Sequence, residues 1–532
     1  MDEASGSSLQ QHRGINRVVS WLVSFPRLEI AALLVVSGMY AYNAIRVDLP
    51  LGYAGLYSLM TQEIIEQPFP LPTTVPYYGP GGIPFAFPPV ALYVAAFFVG
   101  ALRIPLFTYL RWMPPVATVA ALVALYALFR LISGDRLKAL LGTIVVACAE
   151  TTHAYHATAS GMVRSVALLF GILAAVFAFR AFGQGRRWIG LSVPAGIFVG
   201  LTIMTHLAYA AFVVLGIALM TVLDPRGRPR RRHFEVLGII AAVAAVCSAL
   251  WWVPILSRYG IQILLNAGGT HGTMGSFPRS LRGILGTLRG ILRWYANLGQ
   301  SWWPMSLAGL ALVGFAYAIG RGRWLLPVWI LVVLLFMGQT DRFEILLCGL
   351  LIAEVLVDAS RGIVPADRWK PLADTASFPG LLFLGLVMLP IVGLGFRGIQ
   401  WSEWALSPGL LETAQWVREN TPEDVVYVYL GNEHDVAEWL PFLTRRTPGF
   451  APWGAEWTGN YGTQLRLTDE MAACVSAQRF QCVKDFLASL GQEVELLVLP
   501  SEHIQMENEI LSDPGWQQVF RNDEYVVFRE TG

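Results

Sequence analysis

Apolar and polar stretches alternate along most of the chain, and many of the apolar stretches are long enough to be membrane helices. About eleven such spans lie between Phe25 and Ile399 when they are compared with the ~20 residues that cross a bilayer as a helix. The chain is 55% hydrophobic and 14% charged, whereas an ordinary soluble domain is roughly 25% charged. We therefore predict a polytopic α-helical membrane protein whose transmembrane domain covers residues 28–399.

The basic residues predict the orientation of these spans. Arg13, Arg17 and Arg27 precede the first span, residues 28–45, and an arginine cluster at 226–232 follows two spans within 188–223. Because Lys and Arg accumulate in cytoplasmic loops, we expect segment 1–27 to be cytoplasmic in an integral protein of the cell membrane. The loop 46–89 and residues 400–532 then lie on the extracytoplasmic face. The arginine-rich connection 256–301 is an exception, since it falls on that same outer face.

The first external loop, residues 46–89, combines a helical pattern with a stretch that cannot be helical. Tyr57, Met60, Ile64 and Ile65 have helical spacing, which predicts a short amphipathic helix at the membrane interface. The following stretch, 68–89, is rich in Pro and Gly, which excludes a regular helix. The apolar run 90–107 is ambiguous, and we place it along the interface or as a re-entrant segment because a crossing would put Arg130 outside.

Residues 400–532 have the pattern of a soluble α/β domain. Strand-like runs at 424–430, 494–499 and 524–529 alternate with helical runs at 410–419 and 479–490, which favours an open mixed sheet. Cys474 and Cys482 lie in this region. They form a disulfide in an oxidising compartment, or they are two unpaired thiols on one helix.

Two motifs in the first external loop carry a resemblance to a known superfamily. Gly-Leu-Tyr lies at 55–57 and Gly-Ile-Pro-Phe-Ala-Phe-Pro-Pro at 82–89, followed by a turn ending in Arg164 and a His-containing turn at 204–206. Their order resembles the integral-membrane GT-C-type glycosyltransferases, distantly the protein mannosyltransferases and the catalytic subunits of oligosaccharyltransferase. The segment 439–445, with Glu456 and Trp457, resembles the external domain often fused behind such membrane cores.

The resemblance implies a transferase with a polyprenyl-phosphate-linked sugar donor and an essential acidic residue in the first external loop. A divalent cation, Mg or Mn, often assists that residue. The family's acidic residue sits where this chain has Tyr53. Asp48 then acts as the catalytic base, or Glu63 replaces it, or transfer activity is lost. In the last case the protein is an inactive GT-C-like scaffold that binds a glycolipid or a partner protein.

Several further residues are candidates for the substrate and metal sites. Arg164 and Arg342 stand at the outer mouths of apolar spans, where a buried cation needs an anion. A lipid phosphate would satisfy them, and so would another protein charge such as Glu150, or a lipid headgroup. In the loop, Tyr57, Tyr77 and Tyr78 are candidates for sugar contact.

Glu150, His153 and His156 share one helical face, so they are candidate ligands of a divalent cation. The alternative is that they are solvated polar residues at the end of a helix.

In the external domain, Glu433, His434, Asp435 and Glu438 surround a turn before Trp439. They line a pocket that faces the membrane domain, or they form a solvated loop. The expected partners are a polyprenyl-phosphate lipid and membrane lipids. A net charge of +1 gives no signal for nucleic-acid binding. A transporter is disfavoured because the spans carry few charges near their centres.

Overall fold

The computed structural model describes residues 26–79, 81–183, 187–223, 230–270, 305–337, 341–362, 378–400, 406–491 and 493–531. Residues 1–25 of the predicted cytoplasmic segment 1–27, and residues 271–301 of the arginine-rich connection 256–301, lie outside these residues. Within them the chain forms a helical membrane domain, an irregular first loop and a sheet-containing C-terminal domain. We call the loop and this domain external after their predicted location.

Each predicted span has a helix at its position in the membrane domain. In chain order these helices are Pro26–Arg46, Leu106–Ser133, Arg136–Ala147, Gly161–Gly183, Trp188–Ile203, Leu207–Leu223, Arg230–Tyr259, Met305–Gly320, Leu325–Phe336, Asp341–Gly362 and Phe378–Gln400. By length and composition, three helices of the described residues are able to cross a membrane: Leu106–Ser133, Gly161–Gly183 and the one that ends at Tyr259. Other apolar helices, such as Leu207–Leu223, are shorter, so the number of spans stays a prediction.

Gly161–Gly183 is the central helix of the membrane domain. It packs against Leu106–Ser133, Trp188–Ile203 and Leu207–Leu223, and most of its residues are buried. Gly171 permits this packing, because a Cβ there would lie 2.6 Å from Val213 Cγ2. A helix that is apolar all round is expected at the centre of such a bundle. Arg164 lies in the first turn of this helix, so the central position of the helix buries the arginine deep in the protein.

The first external loop forms the predicted short helix, Gly55–Glu66, which we call the loop helix. The Pro/Gly-rich stretch after it holds only two short strands, β1 (Thr74–Val75) and β2 (Ile83–Pro84), paired antiparallel. Val90–Ala96 continues into a π-helical turn, Phe97–Ala101. Helices at predicted spans, such as Leu325–Phe336, are equally short, so the interfacial or re-entrant placement of this segment stays a prediction.

The external domain contains the predicted mixed sheet. Its strands are β3 (Val426–Tyr429), β4 (Thr447–Pro448), β5 (Leu496–Pro500), β6 (Trp516–Arg521) and β7 (Tyr525–Glu530), in the order β4-β3-β5-β7-β6. Its helices are Pro408–Asn420, His434–Thr444, Tyr461–Ser476, Phe480–Leu490 and Ile504–Leu511.

Pairing in this sheet is parallel on one side of β5 and antiparallel on the other. All residues of β5 are buried, because helices cover both faces of a strand at the centre of an α/β sheet. Cys474 and Cys482 form a disulfide with a Cα–Cα distance of 5.5 Å, which confirms the first of the two alternatives for this pair.

The helix His434–Thr444, which we call the docking helix, joins the external domain to the first loop. Trp439 donates its indole N–H to the carbonyl of Gly52 at 2.9 Å, and the hydroxyl of Tyr78 donates to the carbonyl of Glu438 at 2.7 Å. Gly55 lets the two backbones approach, since a Cβ there would lie 2.6 Å from that same Glu438 carbonyl oxygen. The first loop and the docking helix therefore form one packed layer above the membrane helices.

Candidate active site

A cavity of about 260 Å³ lies where the membrane helices, the first loop and the external domain meet. Its polar and aromatic lining residues are Tyr53, Tyr57, Phe87, Arg164, His206, Arg342, Glu438, Trp453, Glu456, Trp457 and Tyr461. A larger groove of about 830 Å³ lies on the external domain, between Phe480–Leu490 and Ile504–Leu511. Its Lys484 already pairs with Asp513 at 2.7 Å, so the smaller cavity is the better candidate site.

Arg164 reaches the cavity from the first turn of the central helix. It is 6% exposed, and its guanidinium donates to the hydroxyl of Tyr53 and, at 3.4 Å, to Ser160 Oγ. Its Cζ lies 5.1 Å from the ring centre of Tyr53 and 5.3 Å from that of Tyr155. Glu150 is not its partner, and no carboxylate within 4 Å pairs with it among the described residues.

Arg342 reaches the same cavity from the start of helix Asp341–Gly362. It is 4% exposed, and its Cζ lies 4.9 Å from the ring centre of Phe343, 5.5 Å from Tyr209 and 5.6 Å from Tyr155. Its Nε has no hydrogen-bond partner, and it forms no ion pair with any residue that the structure describes. Arg164 and Arg342 therefore share the Tyr155 ring and hold two positive charges together without an ion pair to any described carboxylate.

Arginines at the predicted cytoplasmic end of the membrane domain are arranged differently. Three of them form an ion pair with a carboxylate of another helix or connection: Arg136 with Glu29 at 2.6 Å, Arg323 with Glu354 at 2.7 Å, and Arg361 with Asp135 at 2.7 Å. Taking a charge out of water costs several kcal/mol unless an opposite charge offsets it. The lack of such a partner at Arg164 and Arg342 therefore indicates a site for an external anion.

Two carboxylates line the cavity, and both come from the external domain. Glu438 is 2% exposed and accepts hydrogen bonds from the backbone N–H groups of Gly55 and Leu56, each at 2.7 Å. Burial raises the pKa of Glu438 to about 8, although those N–H groups favour the ionised form. Glu456 lies on the turn-rich stretch before helix Tyr461–Ser476. Of the acidic turn predicted as either pocket or solvated loop, Glu438 thus lies in the pocket.

The carboxylates predicted in the first loop lie elsewhere. Asp48 has a fully exposed side chain whose nearest cation, Arg111, is 3.8 Å away, and it does not line the cavity. Glu63 lies in the last turn of the loop helix, also outside the cavity, where burial raises its pKa. The geometry therefore does not support either residue as the base.

Of the three tyrosines predicted to contact sugar, only Tyr57 lines the cavity. Its ring lies 5.1 Å from that of Phe87. Tyr78 is buried and binds the docking helix. Tyr77 lies beside it in a left-handed conformation, with φ of 64°. The helical spacing around Tyr57 separates it from Tyr77 and Tyr78 in the Pro/Gly-rich stretch, but which ring lines the cavity depends on tertiary packing that the loop sequence does not show.

The predicted metal ligands do not form a cation site. No group of three or more His, Cys, Asp or Glu residues converges within the described part of the chain. His156 uses both ring nitrogens inside the protein, at 2.7 Å from the Tyr209 hydroxyl and 3.2 Å from the Thr152 carbonyl. His153 is buried and stacks on Tyr40, whereas Glu150 is exposed. The residues present therefore do not fit a divalent cation.

Comparisons with known proteins identify the fold. No family model matches the sequence, and no curated protein matches it. An oligosaccharyltransferase from Archaeoglobus fulgidus, in complex with Zn and sulfate, matches with a TM-score of 0.60 and 15% identity over 89% of this chain and 68% of that chain.

Two further solved structures agree. ArnT from Cupriavidus metallidurans, bound to undecaprenyl phosphate, matches with a TM-score of 0.52 and 15% identity over 96% of this chain and 98% of that chain. The mycobacterial arabinofuranosyltransferase AftD matches with a TM-score of 0.52 and 14% identity over 94% of this chain and 40% of that chain. The chain therefore has the GT-C fold, which confirms the resemblance seen in its sequence.

Proposed function

We propose that this chain is a membrane glycosyltransferase that moves a sugar from a polyprenyl-phosphate-linked donor to an acceptor on the extracytoplasmic face. One observation carries the proposal. Arg164 and Arg342 are buried side by side with no carboxylate partner among the residues described. The phosphate of such a donor supplies the missing negative charge, and guanidinium groups bind phosphate with short, charge-assisted hydrogen bonds. ArnT, which shares the fold, was solved with undecaprenyl phosphate.

The size of the cavity also supports this class of donor. Pockets that enclose drug-sized ligands measure roughly 300–1,000 Å³, and this cavity is slightly smaller, at about 260 Å³. It accommodates a phosphate and a sugar, while a polyprenyl tail has to stay among the apolar helices. A lipid-linked headgroup fits these dimensions.

The lining residues suggest the steps of transfer. An acceptor hydroxyl oxygen forms a bond to the anomeric carbon, and the bond from that carbon to the phosphate oxygen breaks. The electron pair leaves on the phosphate, whose charge Arg164 and Arg342 stabilise. The hydroxyl proton goes to Glu456, a carboxylate in the same cavity. We assign the base to Glu456 in preference to Asp48, which is exposed to solvent.

The orientation is part of the proposal. Arg231 and Arg232, with the paired arginines at the end away from the cavity, favour a cytoplasmic location for that end. The disulfide between Cys474 and Cys482 supports an oxidising compartment for the external domain. The cavity then opens on the extracytoplasmic side.

A second candidate function follows from Tyr53. Its hydroxyl accepts a hydrogen bond from Arg164, at the position where the family has its acidic residue. In this second function, the replacement of the acidic residue by Tyr53 abolishes transfer, and the chain binds a glycolipid as an inactive scaffold. Both functions need the phosphate site, and only the transferase needs a base.

Binding of undecaprenyl phosphate to the detergent-purified protein, followed by native mass spectrometry, tests the phosphate site. We expect Arg164→Gln and Arg342→Gln each to weaken binding about 100-fold, because removing one partner of a buried charge pair costs roughly 2–5 kcal/mol. Arg103→Gln is the matched control, since Arg103 is an exposed arginine near the same surface. Unchanged binding in both cavity variants would refute the site. Sugar release from a polyprenyl-phosphate-linked donor by the wild type separates the transferase from the scaffold.

A further inference from the structure

One wall of the cavity is built by a single short stretch of the external domain. Trp453, Glu456, Trp457 and Tyr461 all line it, and we call residues 453–461 the aromatic segment. Arg164 and Arg342, which belong to the membrane domain, line the same cavity. The two walls therefore differ in chemistry, with two cations on one side and three aromatic rings with a carboxylate on the other.

The aromatic segment is held firmly in place against the membrane domain. Gly454 has φ of +82°, and a Cβ there would lie 2.0 Å from Ile83 Cδ1 of the first loop. Gly459 has φ of +78°, and a Cβ there would lie 3.0 Å from Asn266 Nδ2. Only glycine combines this backbone conformation with so close an approach. The rings are therefore positioned before any ligand arrives, which lowers the entropy cost of binding.

The charge on this wall selects against an anion. Glu456 is the carboxylate of this wall, and a phosphate or carboxylate group of a ligand beside it would be repelled. A neutral ligand with hydroxyl groups has no such conflict, because an ionised carboxylate only accepts hydrogen bonds and hydroxyls donate them. Trp and Tyr offer large apolar faces with a polar edge. A sugar ring, with C–H groups on its faces and hydroxyls around its rim, matches both features.

A peptide fits this wall less well than a sugar. Extended peptides are commonly bound by adding a strand to the edge of a sheet. The lining residues that the structure describes come from helices, turns and loops, with no strand among them. An extended backbone therefore has no edge with which to pair in this cavity.

We infer that the aromatic segment is an acceptor subsite for a neutral carbohydrate, held between Trp453 and Tyr461 with one hydroxyl on Glu456. The inference rests on the proposed function, because it is the donor phosphate that occupies the arginine wall. It adds the chemical class of the acceptor, a glycan that carries no phosphate or carboxylate at the sugar that enters the cavity.

Saturation-transfer NMR on the detergent-purified full chain tests the subsite. The probes are a panel of methyl glycosides and short neutral oligosaccharides, with a panel of short peptides of matched concentration beside it. We expect transfer to the ring C–H protons of at least one neutral sugar and none to the peptides. Trp453→Leu should weaken the binding of that sugar about tenfold, because an aromatic contact contributes roughly 0.5–1.5 kcal/mol beyond its buried area.

The matched control is Trp416→Leu, which removes a tryptophan that stacks on Phe520 at 5.3 Å away from the cavity. Glu456→Gln is the second variant, in case Trp453→Leu lowers the melting temperature. Transfer to peptides alone, transfer to no member of either panel, or equal sugar binding by Trp453→Leu, Glu456→Gln and wild type would each overturn the subsite. Undecaprenyl phosphate binding is measured separately, so failure of the phosphate site and failure of the acceptor subsite are distinguishable.

Discussion

The two ends of the membrane domain differ in how their basic residues are neutralised. At the predicted cytoplasmic end, Lys138 pairs with Asp358 and Arg323 with Glu354, each at 2.7 Å. At the other end, Arg164 and Arg342 lie against aromatic rings and form no ion pair with a carboxylate in the described part of the chain. Ion pairs of the first kind stabilise the fold, whereas buried arginines without an ion pair are unfavourable until a ligand binds. The comparison separates charges that hold the fold together from charges kept for function.

The largest effect should come from replacing Glu456, the proposed base, which lines the same cavity as Arg164 and Arg342. We expect Glu456→Gln to reduce sugar transfer by about 10²–10⁴-fold, the usual contribution of general acid–base catalysis. Its melting temperature and its undecaprenyl phosphate binding should stay close to those of the wild type. The assay is release of radiolabelled sugar from a panel of polyprenyl-phosphate-linked donors.

Asp48→Asn is the matched carboxylate control for that experiment. Asp48 is fully exposed and lies outside the cavity, so the geometry predicts nearly unchanged transfer. The resemblance to the family predicts the opposite, loss of transfer in Asp48→Asn. If Asp48→Asn lost activity while Glu456→Gln kept it, the assignment of the base to the external domain would be wrong.

The next effect concerns stability at the two ends. Asp358→Ala leaves Lys138, which is 5% exposed, without its partner, and we expect a loss of about 3 kcal/mol because one member of a buried pair remains. Arg342→Met should leave stability unchanged or raise it, since it removes a buried charge that has no partner. Denaturation in detergent, followed by circular dichroism, compares the two variants. If Asp358→Ala and Arg342→Met lowered the free energy of unfolding equally, the proposed difference between the two ends of the membrane domain would be wrong.

The smallest effect is a pH dependence at the docking helix. The pKa of Glu438 is raised to about 8 from an ordinary 4.5, so the folded protein binds more protons than the unfolded chain between these values. The free energy of unfolding should therefore fall as the pH rises through that window. We expect a decrease on the order of 2 kcal/mol between pH 5 and pH 8, seen as a lower melting temperature.

Glu438→Gln should flatten this pH profile, because the amide keeps an acceptor oxygen for the loop helix and does not titrate. Glu63→Gln is the control, since Glu63 is less buried and accepts no hydrogen bond from the docking helix. A wild-type profile that rises between pH 5 and pH 8 would contradict the direction of the Glu438 shift.

The sequence revealed one wall of the cavity and not the other, for a physical reason. Arg164 and Arg342 were predictable because a charge beside an apolar span needs an anion, and that need is visible locally. Glu456 lies far along the chain in a polar domain, where a carboxylate near tryptophans looks like any solvated residue. Its place in the cavity depends on tertiary packing, such as that of Gly454 against Ile83, which the local sequence does not show.

The same limit explains which parts of the fold were predictable. Helix positions and the mixed sheet follow from hydrophobic periodicity, which each segment carries by itself. The role of Asp48 was inferred from its nearness in sequence to Tyr53, yet its side chain turns outward beside Arg111. His153 and His156 share a helical face, but tertiary hydrogen bonds to neighbours such as Tyr209 use the nitrogens that a metal would need.

The volume of the cavity, about 260 Å³, has a consequence for the choice of carrier. Since the polyprenyl tail does not fit in the cavity, the isoprenoid chain contacts bilayer and helix surfaces, which do not distinguish chains by length. Carriers with short and long tails should serve this protein equally, and discrimination among them has to occur through the sugar.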